Sequence, residues 1–141
     1  MPNLSFSESV NLQVEILEAG KPLEAFDRFF ARDGVMYAND AIFARGAEEG
    51  RGKQEPFVSS ATSISGLITN LRILEEQEIC VFRNKSSFTA TDGERHQIDG
   101  LCWQKWDGGQ ITEERYYDGS RMQSLITDGI LLRPDILNAA I

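Results

Sequence analysis

The stretch LEAGKPLEAFDRFFARDGVMYAND, residues 17–40, decides the fold of this 141-residue chain. Gly20 offers a C-terminal cap to whatever helix precedes it, Pro22 suits the first turn of the next, and Leu23, Phe26 and Phe30 fall on one helical stripe. That helix is expected to end near Asp33 and Gly34, and Val35 to Asp40 reads as a short strand. Upstream, Ser5 and Glu8 form a capping-box pattern, and Val10, Val14 and Leu17 recur at helical spacing, so a first helix is expected over about 6–19. Downstream, AIFARGAEEGRG at 41–52 holds three glycines and reads as a mobile loop; Pro56 is expected to start a third helix bearing Phe57, Ala61 and Ile64 and stopped by Gly66.

From Leu67 the period changes to two. Leu67, Thr69, Leu71 and Ile73 alternate with Ile68, Asn70, Arg72 and Leu74, and Cys80, Phe82, Phe88 and Ala90 share one face of the next run. Thr91-Asp92-Gly93-Glu94 and Asp107-Gly108-Gly109 supply turns, so three or four antiparallel strands follow the helices. Helices first and an antiparallel sheet second make an α+β layer rather than a parallel βαβ fold.

The length fits a single domain spanning 1–141, large enough to form a core without disulfides. With 22 acidic against 14 basic residues the net charge is −8, and no basic run offsets it, which argues against nucleic acid and anionic membranes as partners. MPNLSFSESV lacks a basic start and an apolar run, and nowhere do about 18 apolar residues follow one another. A cytoplasmic protein is expected. Cys80 and Cys102 show no CxxC spacing and sit in apolar runs, where a thiol behaves as a small hydrophobe. One histidine, His96 beside a turn, and no clustered carboxylates give no metal site, and the glycines of 46–52 form no nucleotide-binding pattern, so no cofactor is expected. Met122, Leu125 and Ile126 suit a turn of helix, while in the tail over 123–141 Ile130, Leu131, Leu132, Ile136, Leu137 and Ile141 are too apolar to stand in water and are expected to cover the pocket mouth or a second subunit. An open curved sheet plus that tail leads to the expectation of a homodimer.

The helix, AGK, helix and strand order of residues 17–40 resembles the SnoaL-like, ketosteroid-isomerase-like families, and WDGGQITEERYYD at 106–118 resembles their closing hairpin. The resemblance covers about residues 8–122. It implies the cone-shaped α+β barrel of nuclear transport factor two, with three helices packed in a strongly curved, mostly antiparallel sheet around a central pocket. It also implies a small hydrophobic ligand and a reaction of isomerase, cyclase or dehydratase type without a cofactor. The families include members with no known reaction, so a non-catalytic ligand-binding or dimerisation module of the same fold stands as the alternative.

Strand parity then nominates side chains for the pocket. Tyr37 and Asn39 share a face of the first strand, Phe82, Asn84 and Phe88 a face of another, Asp99, Leu101 and Trp103 of the next, and Glu114 and Tyr116 of the last. The carboxylate of a ketosteroid isomerase would fall at Ala38 or Asn39 and its first-helix tyrosine at about Gln13, so that dyad is absent. Tyr37-Ala38-Asn39 resembles the water-holding Tyr-x-Asn of limonene epoxide hydrolase, while the acid/base half of that set is missing, with Tyr116 near the acid position. Asp99 is the remaining acid/base candidate. It reads either as a carboxyl with a raised pKa in an apolar cavity or as a solvated rim residue paired with Arg95 or Arg115. Tyr37, Asn39 and Tyr116 are candidates to orient an oxygen, and Trp103, Leu101, Phe82, Asn84 and Phe88 to line the wall. Glu114 reads as a wall residue or as one member of a charged row with Glu113 and Arg115.

Overall fold

The computed structural model of the chain describes residues 4–138; Ile141 of the apolar tail lies outside them. Helix α1, Phe6–Glu18, starts at the expected capping box, in which the Ser5 hydroxyl accepts from the Glu8 amide and the Glu8 carboxylate from the Ser5 amide. Helix α2, Pro22–Phe29, ends earlier than expected, because Phe30 is already extended and opens strand β1, Phe30–Ala38. The Phe30 ring still stacks on Phe26, with centroids 4.6 Å apart, so the stripe that suggested a longer helix is satisfied across the helix–strand break. Asn39 and Asp40 both take positive φ, 49° and 72°, and close a tight hairpin into β2, Ala41–Arg45.

The expected loop at 41–52 is therefore not a loop. Its first half is β2, and Ala47 opens helix α3, Ala47–Ser59, with Glu48 and Glu49 in the first turn where the helix dipole favours acidic groups. Pro56 lies near the end of that helix instead of starting it, and 61–65 form strand β3, Ala61–Ser65. Three glycines misled the reading, and Gly50 shows why one of them is there: a Cβ would stand 3.0 Å from both Met36 Sδ and the Phe26 ring, so its absence lets α3 lie close against α2 and β1.

The remaining strands are β4, Ile68–Leu74, β5, Ile79–Ala90, β6, Arg95–Asp107, and β7, Gln110–Tyr117. The sheet order is β2-β1-β7-β6-β5-β3, with β4 also on β5, and every pair is antiparallel except β1 with β7. This is the α+β architecture expected, a curved and unclosed sheet with helices α1–α3 on its inner side. One core, including Val10, Phe26, Phe29, Phe30, Cys80 and Trp106, fills the space between helices and sheet.

A second core covers the opposite face. Helix α4, Gly119–Thr127, and helix α5, Asp135–Asn138, belong to the tail, and Met122, Leu125, Ile130 and Leu137 pack with Ile79, Val81, Leu101, Trp103 and Tyr117. Trp103 Nε1 donates to the Pro134 carbonyl at 2.8 Å, fixing the chain across the sheet. The apolar tail thus finds its cover on the outer face of its own sheet, rather than at the pocket mouth. No helix among the described residues is long and apolar enough to cross a membrane.

Candidate functional site

Between the helices and the inner face of the sheet lies a cavity of about 410 Å³. Its deep wall is polar at one place. Gln104 of β6 is 1% exposed and bonded on every side: its Nε2 donates to Gln13 Oε1 at 2.8 Å and to Glu114 Oε2 at 2.7 Å, while its Oε1 accepts from Gln13 Nε2 at 2.9 Å and Trp106 Nε1 at 3.1 Å, with the Cys80 thiol at 3.4 Å. The inner core thus holds a strand–helix amide pair that grips one oxygen of Glu114.

Glu114 is the only carboxylate among the cavity-lining residues described. Burial pushes its pKa up, and the bond from Gln104 opposes that without cancelling it. Its Oε1 takes no hydrogen bond among the described residues, and no buried side-chain polar atom lacks a partner, so that oxygen opens onto cavity space. One oxygen is held by protein and the other faces the cavity.

Tyr116, two residues along β7, shares that face. Its ring lies across Gly100, where a Cβ would come within 2.1 Å of a ring atom, so only glycine at 100 lets the tyrosine lean over β6. Burial first, then the negative charge of Asp118, pushes the phenol pKa up to about 12, so it remains a donor at neutral pH. Its hydroxyl has no hydrogen-bond partner among the described residues. Cys102, paired with Tyr116 across the strands, also borders the cavity; burial pushes its thiol pKa and that of Cys80 upward, which keeps both neutral.

No protein-family model matches the chain, and no curated protein matches its sequence. Solved structures do match. One, described as a SnoaL-like polyketide cyclase from Mesorhizobium loti, superposes with a TM-score of 0.66 at 23% identity, covering 82% of this chain and 100% of the other. An NTF2-like protein of unknown function from Burkholderia pseudomallei gives 0.65 at 11% identity over 89% of this chain and 97% of its own. A protein from Jannaschia, also described as a SnoaL-like polyketide cyclase, gives 0.64 at 10% identity over 90% and 96%.

The chain has the SnoaL-like, NTF2-like fold. Within that fold the side chains nominated by sequence divide between the two faces of the sheet. Phe82, Asn84, Phe88, Glu114 and Tyr116 line cavity space on the inner face. Asp99, Leu101 and Trp103 do not. Leu101 and Trp103 are fully buried in the outer core, and Asp99 is exposed on the outer face, where Arg83 Nε and Nη2 hold both its oxygens at 2.9 Å. The Arg83 guanidinium lowers the Asp99 pKa, the reverse of the shift a cavity would cause.

The reversal comes from one residue. An unbroken hairpin on Asp107↔Gln110 and Trp106↔Ile111 would set Trp103 opposite Glu114, but the register slips between Trp106 and Lys105, and Gln104 faces Glu114 instead. The additional residue on β7 is Thr112, whose hydroxyl donates to the Lys105 carbonyl at 3.2 Å. Every residue of β6 before the bulge is thereby turned to the other face relative to β7.

Asn39 also lies off the cavity wall, and Tyr37 stands at its border. Tyr37 pairs with Arg115 in the parallel register, and its ring lies 4.0 Å from the Arg115 guanidinium carbon, so it borders the cavity without offering its ring to it. Asn39 is exposed and ties the end of β1 to β7: its Nδ2 donates to Asp118 Oδ1 at 2.8 Å and its Oδ1 accepts from the Asp118 amide at 3.0 Å. Asn39 is engaged in fastening strand ends and the Tyr37 ring in covering Arg115, so the pair that resembled a water-holding device does not favour the epoxide-hydrolase-like alternative. Ala38 and Gln13 do border the cavity, and neither carries the acid or phenol of a ketosteroid isomerase.

Proposed function

We propose that this protein moves a proton on a small, largely apolar carbonyl compound, with Glu114 as the acid/base and the Tyr116 hydroxyl as the donor to the carbonyl oxygen. The observation that carries the reading is the placement of Glu114: a buried carboxyl, raised in pKa, gripped on one oxygen by Gln104 and open to the cavity on the other. In this scheme Glu114 Oε1 takes a proton from the carbon beside the carbonyl. The electron pair passes to the carbonyl oxygen, the enolate so formed accepts from Tyr116, and the proton is returned to a carbon of the same ligand. Isomerisation follows if the carbons differ; an aldol-type ring closure follows if the enolate carbon instead attacks a second carbonyl, whose oxygen takes up the electron pair and then the proton held by Glu114. The SnoaL-like neighbours described as polyketide cyclases support this class of chemistry without specifying the substrate.

Solvent deuterium exchange into 2-tetralone, followed by proton NMR, tests the proposal. Wild type is expected to accelerate exchange, and Glu114→Gln to lose roughly 100-fold or more of that acceleration while ligand still raises its Tm. Equal exchange by both proteins would remove Glu114 from the chemistry. Binding without any exchange would leave a ligand-binding module.

A further inference from the structure

Beside the cavity at Glu114 lies a second lobe of about 400 Å³ that Gln13, Gln104, Glu114 and Tyr116 do not line. The two lobes share six wall residues, Leu17, Pro22, Phe43, Gln54, Asn84 and Ile98, so they adjoin along a common wall. The outer lobe is apolar and partly aromatic. Phe57 of α3 meets the Phe88 ring edge to face at 4.6 Å, Phe88 is backed by His96 stacked at 5.0 Å, and Val58 and Ile64 extend the apolar wall, with Lys53, Ser86 and Ser87 as its polar part. Phe57 is 52% exposed despite that contact, an apolar surface left open on the cavity side of a helix.

Two amides of the common wall each have one hydrogen-bonding group unused. Gln54 Nε2 donates to the Gly50 carbonyl at 3.1 Å, which fixes the amide and leaves its Oε1 without a partner among the described residues. Asn84 Oδ1 accepts from the Ser86 hydroxyl, which leaves Nδ2 likewise without one. A free acceptor and a free donor thus belong to the wall common to both lobes, where a hydroxyl, which both donates and accepts, would use them.

We propose that the outer lobe is a second subsite, so that the ligand is a two-part molecule: an enolisable ketone end beside Glu114, a flat aromatic end lying against Phe57 and Phe88, and a hydroxyl between the two ends held by Asn84 and Gln54. The ketone end rests on the proton-transfer reading; the aromatic subsite and the hydroxyl do not. A single-lobe ligand would leave the Phe57 and Phe88 surface wet, whereas an aryl group there removes apolar area from water on both partners.

Calorimetric titration with 2-pentanone, 6-(2-naphthyl)hexan-2-one and the 4-hydroxy derivative of the latter tests the proposal on the wild-type protein. The naphthyl ketone is expected to bind at least roughly tenfold more tightly than 2-pentanone, and its hydroxy derivative several-fold more tightly again. In Val58→Trp, which fills the outer lobe, the ratio of naphthyl ketone to 2-pentanone affinity is expected to fall at least about tenfold, and in Asn84→Ala the preference for the hydroxy derivative is expected to vanish. Equal affinity of the three ligands for wild type overturns the proposal without any variant, as does an unchanged ratio in folded Val58→Trp. These titrations do not depend on turnover, so failure of 2-tetralone exchange with the expected affinities would reject the proton-transfer reading and leave the second subsite standing.

Discussion

The side-chain amides of Gln13 and Gln104 hydrogen-bond to each other twice, at 2.9 and 2.8 Å, joining the first helix to the central strand inside the core. A pair of amides closed on itself has one N–H left on each side, and the one on Gln104 points at Glu114. Replacing Gln104 by Leu strips the partners from Gln13, Trp106 and Glu114 at once. The cost is expected to be about 2–4 kcal/mol by denaturant unfolding. Loss of a bond that lowers the Glu114 pKa is also expected to move the acid limb of the exchange rate towards higher pH, which loss of stability by itself does not do.

Glu114 is expected to make stability depend on pH in an identifiable direction. Its folded pKa is raised, so the folded state holds the proton more tightly than the unfolded chain, and the associated stability is fully present below the unfolded value of 4.5 and lost as pH rises through the folded value. Glu114→Gln, neutral throughout, is therefore expected to melt higher than wild type at pH 8 and to lose that advantage near pH 4. A Tm difference that stays constant across this range would show that Glu114 titrates normally.

Gly100→Ala is expected to spare the sheet and disturb the site. The new methyl group meets the Tyr116 ring, which must tilt away from its position over β6. A misplaced donor of this kind costs about 10- to 100-fold in rate. Exchange of 2-tetralone falling by that factor, with the circular dichroism spectrum unchanged, would bear this out; full activity would show that Tyr116 does not act from where it lies.

Asp99→Asn is expected to leave exchange at the wild-type rate, since the carboxylate lies on the outer face in a two-bond pair with Arg83. An ion pair this exposed contributes under about 1 kcal/mol. A variant that folds yet loses exchange would contradict the face on which the side chain is found.

The tail is expected to limit association. Both features that led to the expectation of a dimer, an open sheet face and an unburied apolar segment, satisfy each other within one chain, and the part of the outer face beyond the tail carries Arg83, Lys85, Arg95 and Asp99. The full chain is expected to scatter as a 15.8 kDa monomer at micromolar concentration. Truncation after Thr127 uncovers Trp103 and Val81 and is expected to drive self-association. A truncated chain that stayed monomeric, or a full chain that dimerised, would show that the tail does not hold this surface alone.

Most of the architecture was legible because capping, periodicity and turn chemistry are local: Ser5 with Glu8, Gly20-Lys21-Pro22 and Asp107-Gly108-Gly109 each declare a boundary within a few residues. The segment 41–52 was misread because the permissiveness of Gly50 is used for close packing against Phe26 and Met36, a long-range reason that composition cannot convey. The site was half legible. Alternation placed Phe82, Asn84, Phe88, Glu114 and Tyr116 on their faces, but the face of β6 depended on one bulge at Thr112, and both of its faces carry apolar residues because both are buried. A signal was present in Gln104 itself, a neutral polar residue between two tryptophans, of the kind a core accepts only when something inside requires it.

Eleven successive residues of β5 and β6, from Ile79↔Lys105 to Thr89↔Arg95, pair without interruption. Each of those strands serves two clients, the cavity with one alternate set and the tail with the other, so a single inserted or deleted residue would hand Trp103 to the cavity and Gln104 to the tail at one stroke. The lineage of this protein is therefore free to change ligand by exchanging side chains one at a time, and free to vary length at the 91–94 turn, but frame-like changes within this strand pair are closed to it.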